Sequence, residues 1–321
     1  MIEYILLVVG IAILIKGADF LVDGSSSLAH KFKVPTLVIG LTIVAFGTSM
    51  PELIVNIIAA LRGSTEVAFG NIIGSNIANI LLVLGVTAII CPIKVERSTI
   101  WKEIPFALLG VFVLFVISNH LLIDKVDIGS LTRVSGLIML CFFGIFLYYT
   151  LELARKSKKQ LDSSEIEIKK RKGLSIFLLI LGGLICLYFG GKWVVDGAVF
   201  IAQQFGLSEF LISATIIAIG TSLPELVTGI TAARKNQTGL AVGNSVGSNI
   251  FNIFWILGVT ALVAPVAIPS FINLDMFLLG IATLLLFTFL FIGKKHELER
   301  WQGWMFVLLY VAYILFIVLR G

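Results

Sequence analysis

An all-α polytopic membrane protein is predicted, with ten transmembrane helices arranged as two inverted five-helix repeats. Three observations carry that prediction. First, 58% of the 321 residues are hydrophobic, only 13% are charged, and mean hydropathy is +1.05. A typical soluble domain carries about 25% charged residues, so a soluble fold and a disordered chain are both excluded. Second, the apolar runs are long and do not alternate, which fits helices and excludes a membrane barrel. Third, the second half of the chain repeats the first at a constant offset of 173 residues.

The spans fall at residues 2–30, 35–61, 66–91, 103–119, 130–154, 173–203, 208–234, 238–264, 273–292 and 302–320. No basic segment precedes the first apolar stretch and no small-residue cleavage site follows it, so residues 1–30 read as a retained span. The chain divides into a first five-helix repeat (1–154), a basic linker (155–172) and a second five-helix repeat (173–321). About half of the residues at 36–62 and 66–92 are identical to those at 209–235 and 239–265, without a gap. Five spans is an odd number, so the second repeat enters the membrane in the opposite sense.

Charge supports this topology. The net charge is +5, and the linker RKSKKQLDSSEIEIKKRK alone holds eight basic and three acidic residues. With the linker in the cytoplasm, 18 of the 24 Lys and Arg residues fall on the cytoplasmic side. The positive-inside rule then puts both termini outside the cytoplasm, in a multi-pass protein of the cell membrane. The excess is local and attracts lipid headgroups; it does not indicate nucleic-acid binding. Cys91, Cys141 and Cys186 are isolated, which argues against a disulfide framework or a zinc site.

Ionisable groups at membrane depth are costly and mark function. Glu52 in VAFGTSMPELIV and Glu225 in IAIGTSLPELVT lie near the middles of their spans and are equivalent at the 173-residue offset. Pro51 and Pro224 remove a helix hydrogen bond and, with Gly47 and Gly220, predict broken helices. Carbonyls of residues 45–49 and 218–222 would then be freed toward a cavity. Thr48, Ser49, Thr221 and Ser222 add hydroxyl oxygens. Carboxylate, hydroxyl and carbonyl oxygens form a hard ligand set suited to Ca²⁺ and Na⁺. The next span of each half reads GNIIGSNIANI (70–80) and GNSVGSNIFNI (243–253). Ser75 and Asn79 share a helical face, as do Ser248 and Asn252. Gly70, Gly74, Gly243 and Gly247 permit close helix approach. Each feature alone suits simple packing; together, at one offset, they point to an ion site.

The duplicated GTSxPE and GNxxGSN motifs resemble those of the cation/Ca²⁺ antiporter family, and the chain is most similar to compact prokaryotic sodium/calcium exchangers. The resemblance covers essentially the whole chain. It implies a site among spans 2, 3, 7 and 8, with spans 1 and 6 sliding over the core to alternate access. It implies Ca²⁺ held by Glu52, Glu225 and the carbonyls of Thr48 and Thr221. Na⁺ sites would use Ala45, Ser49, Ser75, Ala218, Ser222 and Ser248, with Asn79 and Asn252 at the remaining positions. Some relatives, including potassium-dependent exchangers, carry Asp where this chain has Asn252, so a potassium requirement is not expected.

The expected function is therefore Ca²⁺ extrusion in exchange for Na⁺, by a monomer in the lipid bilayer, with Ca²⁺ and Na⁺ as cargo and no cofactor. The alternative is a H⁺/Ca²⁺ antiporter using the same glutamates. An intramembrane enzyme is not expected: there is no HExxH, no GxGD and no nucleophile–base pair, because His30, His120 and His296 lie at span ends or in loops. A channel fits inverted halves with one glutamate each less well than alternating access does. Lys16–Asp19 and Lys192–Asp196 have helical pairing distances, and Asp23 and Asp196 match at the offset; interfacial anchoring and pairing are expected for both, with a role at the cavity mouths as the alternative.

Overall fold

In this computed structural model the described residues are 2–119, 129–157, 171–205, 218–269 and 272–320. They form a nearly all-helical, multi-pass membrane protein. Its helices are α1 (Ile2–Phe32), α2 (Thr36–Thr48), α3 (Met50–Leu61), α4 (Val67–Ile90), α5 (Arg97–Ser118), α6 (Arg133–Lys156) and α7 (Gly173–Ile201) in the first part of the chain. There follow α8 (Ala218–Thr221), α9 (Leu223–Arg234), α10 (Thr238–Val263), α11 (Ile272–Phe289) and α12 (Arg300–Arg320). Among the described residues, eight helices are long and apolar enough to cross a membrane, and α2 with α3 makes a ninth candidate bent by 44°. The expected span at 208–234 falls partly on residues outside the description; α8 and α9 are its described portion.

The longest helices lie together. α1 has 31 residues, about 46 Å at 1.5 Å per residue, against a hydrocarbon core of about 30 Å. It is long enough to cross at a tilt. α1 and α7 run antiparallel in close contact. A Cβ on Gly17 would come within 2.9 Å of the Leu187 amide nitrogen, and one on Gly190 within 2.8 Å of the Leu14 amide nitrogen. Only a missing side chain lets the backbones approach so closely.

Two apolar clusters result. The larger holds α2–α6 and α10–α12 together through residues such as Leu41, Phe69, Ile77, Phe146, Phe254 and Phe306. The smaller joins the α1/α7 pair to that bundle through Leu14, Leu21, Val22, Leu187, Val44 and Leu240. The long pair thus packs as a separate layer on the bundle.

Many local features recur at the offset of 173. α3 ends with Gly63 at φ 71° and α9 with Asn236 at φ 56°. Both take the left-handed conformation that closes a helix C-terminus. In each case the next amide reaches back to the last turn: Ser64 to the Ala59 carbonyl at 2.9 Å and Gln237 to that of Ala232 at 2.8 Å. Short strands β1 (Ile93–Lys94), β2 (Ser130–Leu131), β3 (Val266–Ala267) and β4 (Glu297–Leu298) pair antiparallel as β1–β4 and β2–β3. Each ribbon therefore joins one half of the chain to the other.

The ion pairs differ from expectation. The charged partners of Asp19 and Asp23 come from across the fold and not from Lys16 on the same helix. Lys235 Nζ, just past α9, lies 3.0 Å from Asp19 and 2.9 Å from Asp23, and Arg171 lies 3.4 Å from Asp23. Helical spacing proposes neighbours on one helix, but the tertiary fold brings a better-placed cation.

Candidate ion-binding site

The site is built where two broken helices meet two helices with widened turns. α2 ends at Thr48 and α3 begins at Met50, and Ser49 between them has φ −86°, ψ 8°. α8 and α9 break in the same way at Ser222, φ −89°, ψ 4°. Pro51 and Pro224 stand at the second position of α3 and α9, where a missing N–H costs least. The break is narrower than the sequence suggests. Ser49 N–H donates to the Ala45 carbonyl at 3.1 Å, and Leu53 N–H to that of Ser49 at 3.2 Å. Leu226 N–H donates to the Ser222 carbonyl at 3.0 Å. The Gly47 and Gly220 carbonyls lose their helical donor because the residues four positions on are the prolines, and in the second half Ser222 N–H donates to the Ile219 carbonyl at 3.1 Å. The two glycines also have a packing reason: a Cβ on either would collide with α7, at Leu184 and Val195 respectively.

The glutamates head α3 and α9 and are each 1% exposed. The two halves converge here, because Ser49 of the first lies within hydrogen-bond distance of Glu225 of the second. Glu225 Oε1 accepts hydrogen bonds from Ser49 at 3.2 Å and Ser248 at 3.5 Å. Asn71 donates to the Glu52 backbone carbonyl at 3.3 Å and Asn244, its equivalent, to that of Glu225 at 3.5 Å. The Thr48 hydroxyl is occupied, 3.1 Å from the Val44 carbonyl and 3.0 Å from Asn244 Oδ1. Asn71 and Asn244 were not singled out in the sequence, although both stand in the repeated GN dipeptide.

α4 and α10 supply the rest. Each contains a π-helical stretch, Ala78–Leu84 and Phe251–Ile256. Such wide turns concentrate at functional sites. Asn79 and Asn252 sit at their starts, each 1% exposed. α10 reaches the site by packing on α2: a Cβ on Gly243 would lie 2.6 Å from the Leu37 carbonyl oxygen, and one on Gly247 2.9 Å from Ala45 Cβ.

Of the residues expected in the site, Ala45, Thr48, Ser49, Glu52, Ser75, Asn79, Ser222, Glu225, Ser248 and Asn252 are all buried. Thr221 is half-buried, and the Ala218 side chain lies outside the description. Among the described residues, six buried oxygens of this set have no hydrogen-bond partner: Glu52 Oε2, Ser75 Oγ, Asn79 Oδ1, Ser222 Oγ, Glu225 Oε2 and Asn252 Oδ1. Buried polar atoms are normally satisfied. Among the described residues, no Lys or Arg is buried beside the two carboxylates. Oxygen ligands, two negative charges and no protein countercharge suit a hard cation.

A cavity of about 210 Å³ borders this region. It is lined by Pro51, Thr221 and Pro224 on one side and by Tyr188, Lys192 and Asp196 of α7 on the other.

The sequence matches the sodium/calcium exchanger protein family over residues 2–152 and 175–319. It is 38% identical over 317 residues to the putative antiporter CaxA of Alkalimonas amylolytica, covering 96% of each chain. It is 30% identical over 346 aligned positions to the sodium/calcium exchanger MaX1 of Methanosarcina acetivorans, covering 98% of this chain and 97% of that one. The fold superposes on a structure of the sodium-calcium exchanger NCX_Mj with a TM-score of 0.81, 35% identity and 97% coverage of both chains. The broken helices and buried glutamates described above therefore lie in a chain that belongs to the sodium/calcium exchanger family.

Proposed function

We propose that this protein is a secondary active antiporter that extrudes Ca²⁺ in exchange for Na⁺ by alternating access. The observation that carries the proposal is the pair of buried carboxylates, Glu52 and Glu225, among six unpartnered oxygens. The relationship to MaX1 and NCX_Mj, both named as sodium/calcium exchangers, supports it. Ca²⁺ binds between the two glutamates, with the backbone carbonyls of Thr48 and Thr221 and the amide oxygens of Asn79 and Asn252 close by. Na⁺ takes flanking positions formed by Ala45, Ser49, Ser75, Ala218, Ser222 and Ser248. Because Na⁺ shares the carboxylates with Ca²⁺, binding of one displaces the other, and that competition couples their movements.

The architecture proposed is ten helices in two inverted repeats, 1–154 and 173–321, joined by a cytoplasmic linker at 155–172, with both termini outside the cell. The antiparallel α1/α7 contact and the repetition of caps, π-turns and ribbons between the halves support it. The α1/α7 pair, held to the bundle by its own smaller apolar cluster, is the moving layer. Lys235 bound to Asp19 and Asp23 ties α1 to the bundle at the cytoplasmic end. The equivalent outer residues, Lys192 and Asp196, line a cavity leading toward Pro51 and Pro224. The geometry suits a state open to the outside.

Calorimetric titration of the purified protein tests the site. Ca²⁺ should bind in Na⁺-free buffer, and Na⁺ should displace it competitively. Ca²⁺ binding indifferent to Na⁺ would remove the basis for exchange at a shared site.

A further inference from the structure

Four asparagines form a closed pattern where α4 and α10 cross. Asn249 Nδ2 donates to the backbone carbonyl of Asn76 at 3.2 Å, and Asn76 Nδ2 faces the backbone carbonyl of Asn249 at 3.5 Å. Asn79 Nδ2 donates to Asn249 Oδ1 at 3.1 Å, and Asn252 Nδ2 to Asn76 Oδ1 at 2.9 Å. All four residues are at most 3% exposed, where polar groups are held by such partners.

The orientation of each amide follows from donor and acceptor logic. A backbone carbonyl can only accept. Asn249 must therefore turn its NH₂ toward Asn76 and its Oδ1 toward Asn79. Facing an acceptor, Asn79 must present its own NH₂ there, which leaves its Oδ1 pointing the other way. The same chain runs from Asn76 to Asn252, through the longer 3.5 Å contact. The two oxygens left over, Asn79 Oδ1 and Asn252 Oδ1, are the ones without a protein partner. Reversed amides would present N–H dipoles to a cation and repel it.

We propose that Asn76 and Asn249 are positioning residues: a reciprocal clasp between the repeats that turns the oxygens, and not the NH₂ groups, of Asn79 and Asn252 toward the transported ion. This rests on the reading above that Asn79 and Asn252 border the ion. Neither clasp residue touches the ion itself. The clasp also explains how neutral amides serve in this site: without it each would have two orientations, and only one is useful.

A double-mutant cycle separates positioning from plain structural support. A carboxylate carries oxygen at both ends, so it needs no orienting partner. Ca²⁺ affinity would be measured by calorimetry on monodisperse protein for Asn249→Leu, Asn79→Asp and the two combined. Asn249→Leu should weaken Ca²⁺ binding about tenfold or more in the native background. In the Asn79→Asp background it should cost nothing or improve binding, because it also removes an acceptor facing the new carboxylate. An equal effect of Asn249→Leu in both backgrounds, with Asn79→Asp alone shifting affinity, overturns the clasp and leaves the ion site standing. Unchanged affinity in every variant, Asn79→Asp included, overturns the ion-site reading and the clasp with it. If Asn249→Leu fails to fold, Asn249→Ala and the mirror cycle of Asn76→Leu with Asn252→Asp read the same quantity.

Discussion

Glu52→Gln and Glu225→Gln should remove Ca²⁺ transport while making the ion-free protein more stable. The side chains keep their shape. Glu225 Oε1 accepts from Ser49 and Ser248, and a glutamine oxygen in that place preserves both bonds. What changes is Oε2, buried and unpartnered in both residues, which becomes an NH₂ aimed where the cation binds. Breaking a buried charge pairing by removing one partner costs about 3–5 kcal/mol. At 1.4 kcal/mol per factor of ten, that is about two to three and a half decades of Ca²⁺ affinity. Without ions the sign reverses. Two carboxylates, each 1% exposed, repel one another and have lost their water, so neutralising one relieves both costs. Ca²⁺ affinity by calorimetry, ⁴⁵Ca²⁺ uptake into proteoliposomes and thermal unfolding with and without Ca²⁺ would be compared. The expected result is transport abolished, the ion-free midpoint raised by a few degrees, and the Ca²⁺-induced stabilisation lost. Near-normal transport by either variant, or an ion-free midpoint that falls in both, would refute the paired-carboxylate reasoning.

Other expectations follow from the same geometry. Pro51→Ala and Pro224→Ala restore an N–H opposite the Gly47 and Gly220 carbonyls, so Ca²⁺ affinity should fall with no side-chain ligand removed; calorimetry showing no change in both would return the prolines to packing. In a background lacking Cys91, Cys141 and Cys186, Ser164→Cys should be labelled from the cytoplasm and Asp124→Cys and Pro269→Cys from the opposite side. Labelling of the first two from one side would refute an odd number of spans per half. Lys235→Gln removes the cation that bridges Asp19 and Asp23. It should raise cytoplasmic accessibility of a cysteine introduced at Val227 on α9, read by labelling rate, with little loss of folding stability because the pair is partly exposed. Two glutamates balance two Na⁺ but not three. Three Na⁺ per Ca²⁺ would make uptake respond to a valinomycin-clamped potential, each net charge being worth about 2.3 kcal/mol per 100 mV. Inside-positive voltage should then accelerate Ca²⁺ uptake as Na⁺ leaves, without a potassium requirement, and voltage-independent uptake would indicate two Na⁺.

Much of this was legible in the sequence because duplication repeats its own evidence. Glu52 and Glu225, with Ser75, Asn79, Ser248 and Asn252 of the following spans, all stand in buried positions, as two copies of one motif would require. The misses share a cause: they depend on contacts between segments distant in the chain. Gly47 and Gly220 suggested a loosened backbone, and the structure adds a second demand, room for Leu184 and Val195 of α7. Lys16 suggested a partner for Asp19 by helical spacing, but Lys235 comes from the other half. The glycines at 10, 17 and 24 and at 183, 190 and 197 hold a seven-residue period that marks the α1/α7 contact. Asn76 and Asn249 were equally visible inside GSN, but their role depends on which helix crosses which. The π-turns have no local sequence signature at all.

The most direct test is ⁴⁵Ca²⁺ uptake into proteoliposomes containing only this protein. Vesicles would be loaded with Na⁺ and diluted into Na⁺-free medium, beside vesicles carrying a pH gradient without Na⁺ and vesicles with no gradient. The expected result is concentrative Ca²⁺ uptake only with internal Na⁺, collapsing when Na⁺ is equal on both sides and absent with Glu52→Gln. Uptake driven equally well by the pH gradient alone would make the protein a H⁺/Ca²⁺ antiporter, and uptake needing no counter-ion on the opposite side would make it a channel; either would contradict Na⁺/Ca²⁺ exchange at the two glutamates.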